Sequence, residues 1–546
     1  MCNLKQSKGY IKVYTRSDEA VPGLYPDGLA RSVHFAVSCD GAAFEAVHQN
    51  YGILFAQGII TEQNTILPKG LCEPRICRME NGEYLIIAIR TEEDGTQEEI
   101  PHLECWGTRD FCEFSAKTDV DRKYWESSSD VLETDRSLCD RMALFWSRLY
   151  HTQVRVPDSI EISSWEELKD VKVCAVYSDG SAVRKAVDWD VVHAEPCEDG
   201  YIFVPGRIRQ QHYPFPLIQG YGDPVLFRWD NKWYYISTND NTGQIGIYVR
   251  EADTVPELFA PDAKEYLILG VDEEKDFIQT FWAPEFHVIG GELYILLALG
   301  GKVWAPQCHV MKFKKNGKIT DPGSWETPRR VLTKDGTLLG DGAISLDMTF
   351  IRGKKAAYMA WSYRENLGTE LDSGSMVCIA EVDEQEPWKL KSDPVVLTRP
   401  LYGWENVENT INNEGPYAFE KDGTIYLTYS GGSADRYSYA LGLLTASVDA
   451  DLADVHSWKK SPTPVLSFYS VDGEYGAGHN SFFTDEEGNL MIVYHGETEI
   501  DSTLRCPGIR RVHFDVQGRP VFDLSEERDL NPELADVKLK VRIREN

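Results

Sequence analysis

The sequence predicts an all-β protein: a five-bladed β-propeller preceded by a blade-like β module and a small β-sandwich. Three observations carry this. Long helical patterns are rare, with Ser137–Leu149 the clearest and Trp165–Lys169 good for one or two turns. Short aromatic-rich strands bounded by Gly, Asn and Asp fill most of the remainder, as in all-β chains. One hairpin unit also recurs five times near the C-terminal side.

That unit is a turn followed by a strand of about eight residues. It runs through Asp230–Thr238, Gly290–Ala298, Arg352–Trp361, Asp422–Ser430 and Glu487–His495. Gly, Asn and Asp tolerate the positive φ of tight hairpin turns, so each copy reads as a hairpin. A polar residue precedes each one: Asp223, Glu285, Asp347, Glu414 and His479, at intervals of 62, 62, 67 and 65 residues. Repeated antiparallel units at such spacing make a propeller, placing residues from every blade beside one central axis. The propeller domain is therefore expected over residues 209–546.

Two segments precede it. Residues 151–208 read as short alternating strands, with Val171–Tyr177, an Asp179-Gly180 turn and Ala186–Trp189, and they resemble a bacterial immunoglobulin-like module. Residues 1–150 contain Leu71-Cys-Glu-Pro-Arg75 and then Glu80–Ala88, which echo a blade. Glu73 lies 150 residues before Asp223, out of register with the repeat, so this stretch is expected to be a separate blade-like module with a short helix. It has no later partners resembling Asp347 and Glu414, and Glu73 is expected to take no part in catalysis.

Composition narrows the partners. The formal net charge of −31 repels phosphate backbones unless a basic patch is concentrated somewhere, and none is seen, so no nucleic acid partner is expected. No apolar run approaches the ~20 residues that span a bilayer, so no membrane partner is expected. The first nine residues lack a basic region followed by an apolar core. The twelve cysteines are scattered without zinc spacing, which reads as reduced thiols. Together these give a cytoplasmic expectation.

The stretch 212–530 resembles glycoside hydrolase family 43. The motifs are Tyr221-Gly-Asp-Pro224, Trp282-Ala-Pro-Glu285, Leu346-Asp-Met348, Asn413-Glu-Gly-Pro416 and Gly478-His-Asn-Ser481, in order and at blade spacing. The resemblance implies an inverting hydrolase with three carboxylates: Asp223 as general base, Glu414 as general acid, and Asp347 orienting Glu414 and tuning its pKa. Inversion needs one carboxylate to activate water on one face of the sugar and an acid to protonate the leaving oxygen on the other.

The resemblance further implies a site wall at Trp282, with Glu285 either structural or a hydrogen-bond partner of the sugar. His479 is implied to sit near the channel axis, beside a structural calcium ion or a water, and no cofactor is required for the chemistry. Arg510 is implied to reach sugar hydroxyls, with Arg511 as its alternative, since neighbours in a strand face opposite ways. Trp304, Trp361, Trp404 and Tyr437 are stacking candidates, although most propeller aromatics pack between blades.

The expected activity is exo-acting removal of terminal α-L-arabinofuranosyl residues from plant-derived oligosaccharides. A β-D-xylosidase or an exo-β-galactosidase of the same family is the alternative, and a non-catalytic carbohydrate-binding propeller is the rival from another class. That rival predicts loss of one of the three carboxylates, and all three are present. The Asn-Asp-Pro-Asn and Arg-Asp-Pro signatures of a retaining, fructan-acting five-bladed family are absent.

Overall fold

A computed structural model describes residues 8–19, 25–118, 120–407, 410–500 and 502–544. Residues 1–7, and with them most of the segment read for a leader, lie outside the described residues.

The protein is all-β. Five antiparallel sheets follow one another through the C-terminal half, four of them four-stranded and the last three-stranded. Their innermost strands are Tyr221–Trp229, Gln279–Ile289, Ile344–Arg352, Asn413–Lys421 and Tyr475–Thr484, and each opens its sheet in the order of the chain. These are the five blades of the propeller. The ring closes between the last blade and the first. The Gly220 and Tyr221 N–H groups donate to Arg505 O at 2.9 and 3.0 Å, and Ser481 Oγ donates to Pro224 O at 2.9 Å. Blades pack through apolar faces such as Ile236, Phe281, Ile295 and Leu297 between the first and second, and Leu296, Met359, Trp361 and Cys378 between the second and third.

The repeating position that faces the axis differs from the one the spacing suggests. The pairing of the first two strands shifts between Gly222 and Val225, Trp282 and Glu285, Leu346 and Thr349, and Glu414 and Tyr417. Each shift is a bulge whose extra residue re-aims a side chain. The left-handed residues at the equivalent positions are Asp223 (φ 56°), Ala283 (43°), Asp347 (54°), Gly415 (57°) and His479 (38°). Glu285 therefore lies two residues past the repeat position of its blade, and Glu414 one residue before.

Two compact units divide the chain. One comprises 1–146, 215–483 and 493–509; the other comprises 147–214, 484–492 and 510–546. In the first unit the N-terminal module holds two four-stranded sheets, a short hairpin and the helix Arg136–Phe145. One sheet, built on Lys69–Arg78, carries the same kind of bulge, with Glu73 left-handed at φ 47°. The module shares a core with the third and fourth blades: Tyr25, Leu29, Tyr51 and Phe55 pack with Ile379, Trp404 and Tyr429.

The second unit shows where the expected boundary fails. Its larger sheet runs Ile160–Ile162, Asp536–Ile543, Ile202–Ile208, Val187–Trp189, so the end of the chain belongs to this module and not to the propeller. The physical reason is a core of Ile162, Leu168, Val204, Leu539 and Val541. Residues 151–208 alone cannot build it, and strand Ile202–Ile208 would be left without the neighbour that satisfies its backbone groups.

Candidate active site

Asp223 is buried, with three side-chain nitrogens close to one of its oxygens. Arg505 Nη1 lies 2.9 Å from Oδ1, His479 Nδ1 3.1 Å and His495 Nδ1 3.4 Å. Thr238 Oγ1 donates to Oδ2 at 2.5 Å and itself accepts the Ala283 N–H at 2.8 Å, tying the first blade to the second. Burial pushes this carboxyl up, but the Arg505 guanidinium, with His479, outweighs it and holds Asp223 well below the usual carboxylate range. Arg505 is fixed in turn by Asp240, through 3.0 and 2.7 Å contacts. His495 accepts the Asp223 N–H on Nδ1 at 3.1 Å. Burial lowers its pKa to about 4, so it stays neutral.

Asp347 accepts from Ser362 Oγ at 2.9 Å and from the Gly415 N–H at 3.1 Å. It thereby anchors the peptide immediately after Glu414. Gly415 has two reasons to be glycine: its φ is positive, and a Cβ would come within 3.0 Å of the His479 ring. Glu414 Oε1 accepts the Tyr439 hydroxyl at 2.9 Å. Burial first, then the Asp347 charge, push the Glu414 carboxyl up to about 7. Burial pushes Asp347 up as well, to about 6. The site thus sets one carboxylate held ionised against a pair held toward the acid form. Such a split separates base from acid.

His479 stands between them. Burial works to lower its pKa, and the charges of Asp223, Asp347 and Glu414 raise it above the ordinary histidine value. Its Nδ1 is turned to Asp223. Among the described residues no group of three or more His, Cys, Asp or Glu side chains is arranged to hold a metal ion. Calcium prefers oxygen ligands, and the His479 nitrogen that faces the carboxylates, Nδ1, is turned to Asp223 at 3.1 Å.

The remaining expected residues separate. Trp282 is half-buried, its Nε1 donating to Gln244 Oε1 at 2.6 Å and its ring 6.2 Å from that of Trp304. Glu285 is buried and pairs with His287 Nε2 at 2.7 Å, the arrangement of a structural residue. Trp361, Trp404 and Tyr437 are buried and Trp304 is exposed, so of the four stacking candidates Trp304 alone offers a surface. Arg510 is a correction: it falls in the second unit, and the arginine on Asp223 is Arg505. Arg511 is committed elsewhere in the second unit, to Asp529 at 2.6 Å and Tyr177 at 3.0 Å. Glu73 has a side chain 59% exposed, 3.8 Å from Arg75, in a different sheet from all three carboxylates.

Thr238, Tyr439 and Arg505 were not anticipated. They share a position that could have revealed them: Thr238 near the end of a second strand, Tyr439 and Arg505 just before a third. Antiparallel pairing returns those chain ends to the edge where Asp223 and Glu414 begin their own strands.

The sequence model of glycosyl hydrolases family 43 matches residues 213–520. An extracellular exo-α-(1→5)-L-arabinofuranosidase from Streptomyces avermitilis is 30% identical over 327 residues, which are 58% of this chain and 64% of that protein. The enzyme of the same name from Streptomyces chartreusis is 30% identical over 346 residues, 62% of this chain and 95% of that one. The crystal structure of an α-L-arabinofuranosidase from Lactobacillus brevis superposes with a TM-score of 0.50 at 30% identity, covering 57% of this chain and 96% of that one. The chain thus spans under two thirds of the S. avermitilis relative. The two Streptomyces relatives are named as extracellular, which overturns the cytoplasmic expectation. That expectation rested on the first residues of the sequence and on cysteines read as reduced thiols.

Proposed function

We propose, from the premise that this chain belongs to glycosyl hydrolases family 43, that it removes terminal α-L-arabinofuranosyl residues from oligosaccharides with inversion at the anomeric carbon. The observation that carries the reading is the divided protonation of the site: Asp223 held ionised by Arg505, Glu414 held toward its acid form by burial and Asp347. In this reading Asp223 takes a proton from water as its oxygen attacks the anomeric carbon. Glu414 gives its proton to the leaving glycosidic oxygen on the opposite face. Asp347 positions Glu414 through the Gly415 N–H and supplies the neighbouring charge that keeps the acid protonated near neutrality. Arg505 is cationic and, with His479 beside it, holds Asp223 in place. The names of the Streptomyces relatives support an α-(1→5)-linked substrate.

The test is a comparison of aryl α-L-arabinofuranosides with natural arabino-oligosaccharides for Asp223→Ala and Glu414→Ala. Each should lose about 10²–10⁴-fold in kcat on the natural substrate. A good leaving group needs no protonation, so the aryl substrate should rescue Glu414→Ala and not Asp223→Ala. Equal losses on both substrates for Glu414→Ala would contradict its assignment as the acid.

A further inference from the structure

On the edge where the catalytic strands begin lies a groove of about 980 Å³, at the upper end of the range typical of ligand sites. Trp304, Gln307, Ile344, Arg364, Asn366 and Leu367 are among its lining. It adjoins the carboxylates through the chain itself. Ile344 is three residues before Asp347 on one strand and pairs with Arg364, while Trp304 meets Trp282, the neighbour of the bulge residue Ala283. One wall is the third-blade segment 364–375, braced internally by the Arg364–Asp372 pair at 2.8 Å and by the Glu365 N–H to Ser373 Oγ at 2.9 Å.

That wall is held from outside the propeller. The N-terminal module sends out the hairpin Ile59–Ile60 and Ile66–Leu67, seated at its base by Gly58 N–H to Leu401 O at 2.7 Å and a Gln57–Tyr402 bridge. At its tip Asn64 is left-handed, with φ 65°. The Asn64 side chain donates from Nδ2 to Glu365 Oε2 at 3.3 Å and accepts from Arg399 Nη1 at 2.6 Å on Oδ1. The same guanidinium donates to Asn64 O and to Ser373 O. The hairpin tip and both ends of the 365–373 loop are thus joined through one arginine and one asparagine.

We propose that the N-terminal module is part of the substrate-recognition apparatus: the groove binds the leaving-group portion of a neutral oligosaccharide, and Asn64 is a positioning residue that holds its third-blade wall. This rests on the proposed activity and goes beyond it, since it assigns the remaining sugar units of the oligosaccharide to a groove whose third-blade wall the N-terminal module braces. Trp304, 46% exposed, supplies the apolar face on which a sugar ring stacks. Lys275, Arg330, Asp276 and Asp341 line the same groove, and its third cation, Arg364, is paired with Asp372, so the remaining charges balance and favour an uncharged sugar.

The test measures KM and kcat on an α-(1→5)-linked arabinotriose and on an aryl arabinofuranoside, whose leaving group is too small to span the groove. Asn64→Gly keeps the left-handed backbone and removes the side chain. It should raise KM for the trisaccharide about fivefold or more while kcat and the aryl-substrate KM stay within about twofold, the pattern of lost uniform binding. Trp304→Ala should raise the trisaccharide KM about tenfold. A trisaccharide KM within about twofold of wild type in either variant, or equal changes on both substrates for Asn64→Gly, overturns the proposal. If wild type turns over neither substrate, the proposed activity fails; calorimetric titration of arabinotriose into wild type and Asn64→Gly then reads the groove alone, equal affinity or absent binding again overturning it.

Discussion

Replacing Arg505 with methionine tests how the site keeps its base ionised. The guanidinium lies 2.9 Å from Asp223 Oδ1 and also binds Asp240 at 2.7 Å. At an effective dielectric constant near 20, unit charges at that separation attract by about 6 kcal/mol, so the guanidinium strongly favours the ionised carboxylate. Sharing the cation with Asp240, and the neighbouring His479, temper the loss. Asp223 is useful as a base only when deprotonated, so activity falls on the acid side as pH drops through its pKa. The wild-type acid limb of kcat/KM should therefore lie below the ordinary carboxylate range of about 4, and in Arg505→Met it should move to clearly higher pH. An aryl arabinofuranoside isolates this limb, because its leaving group makes little demand on Glu414. Breaking a buried pair also costs stability, about 3–5 kcal/mol, so folding is checked by circular dichroism, and Arg505→Lys, which retains a charge, should keep the limb near wild type. A folded Arg505→Met enzyme with an unmoved acid limb would refute the electrostatic argument.

Three further outcomes follow from the same geometry. Asp347→Asn should lower the basic limb of the kcat/KM profile, since Glu414 loses the neighbouring charge while its burial remains; an unchanged profile would make Asp347 a turn residue only. Glu414 titrates near 7 in the fold against an ordinary value of 4.5, so the stability it contributes is full below that ordinary value and is lost as pH rises through about 7. Glu414→Gln should accordingly raise the thermal midpoint at pH 8 and leave it unchanged near pH 4, as scanning calorimetry would read. Glu73→Gln should leave kcat within about threefold of wild type, because its exposed carboxylate has no acid–base partner in its sheet; a hundredfold fall in a folded variant would contradict this.

Much of the propeller was legible because each hairpin carries its own turn and its own alternating strand, and both are local signals. The site was legible where a motif marks a bulge: Asp223-Pro224 and Gly415-Pro416 both fall at the shift in strand pairing. Spacing alone did not place Glu285, which keeps the repeat interval yet sits past the bulge and pairs with His287, since the interval does not reveal where the strand pairing shifts. Arg505 escaped notice because no turn residue or repeated motif flags it; only the antiparallel return of the strand brings it to Asp223. The end of the chain failed for a similar reason. Val537, Leu539 and Val541 alternate with charged residues as a half-buried strand should, but that pattern does not say which sheet it joins. The answer lies more than three hundred residues earlier, at Ile202–Ile208.

Action of Asp223 and Glu414 on opposite faces of one sugar in a single displacement is tested most directly by proton NMR of the arabinose first released from an α-L-arabinofuranoside, recorded faster than mutarotation. The β anomer should appear first, with the α anomer growing in afterwards. Release of the α anomer first would require a covalent glycosyl-enzyme and two displacements, and would contradict the roles assigned to both carboxylates.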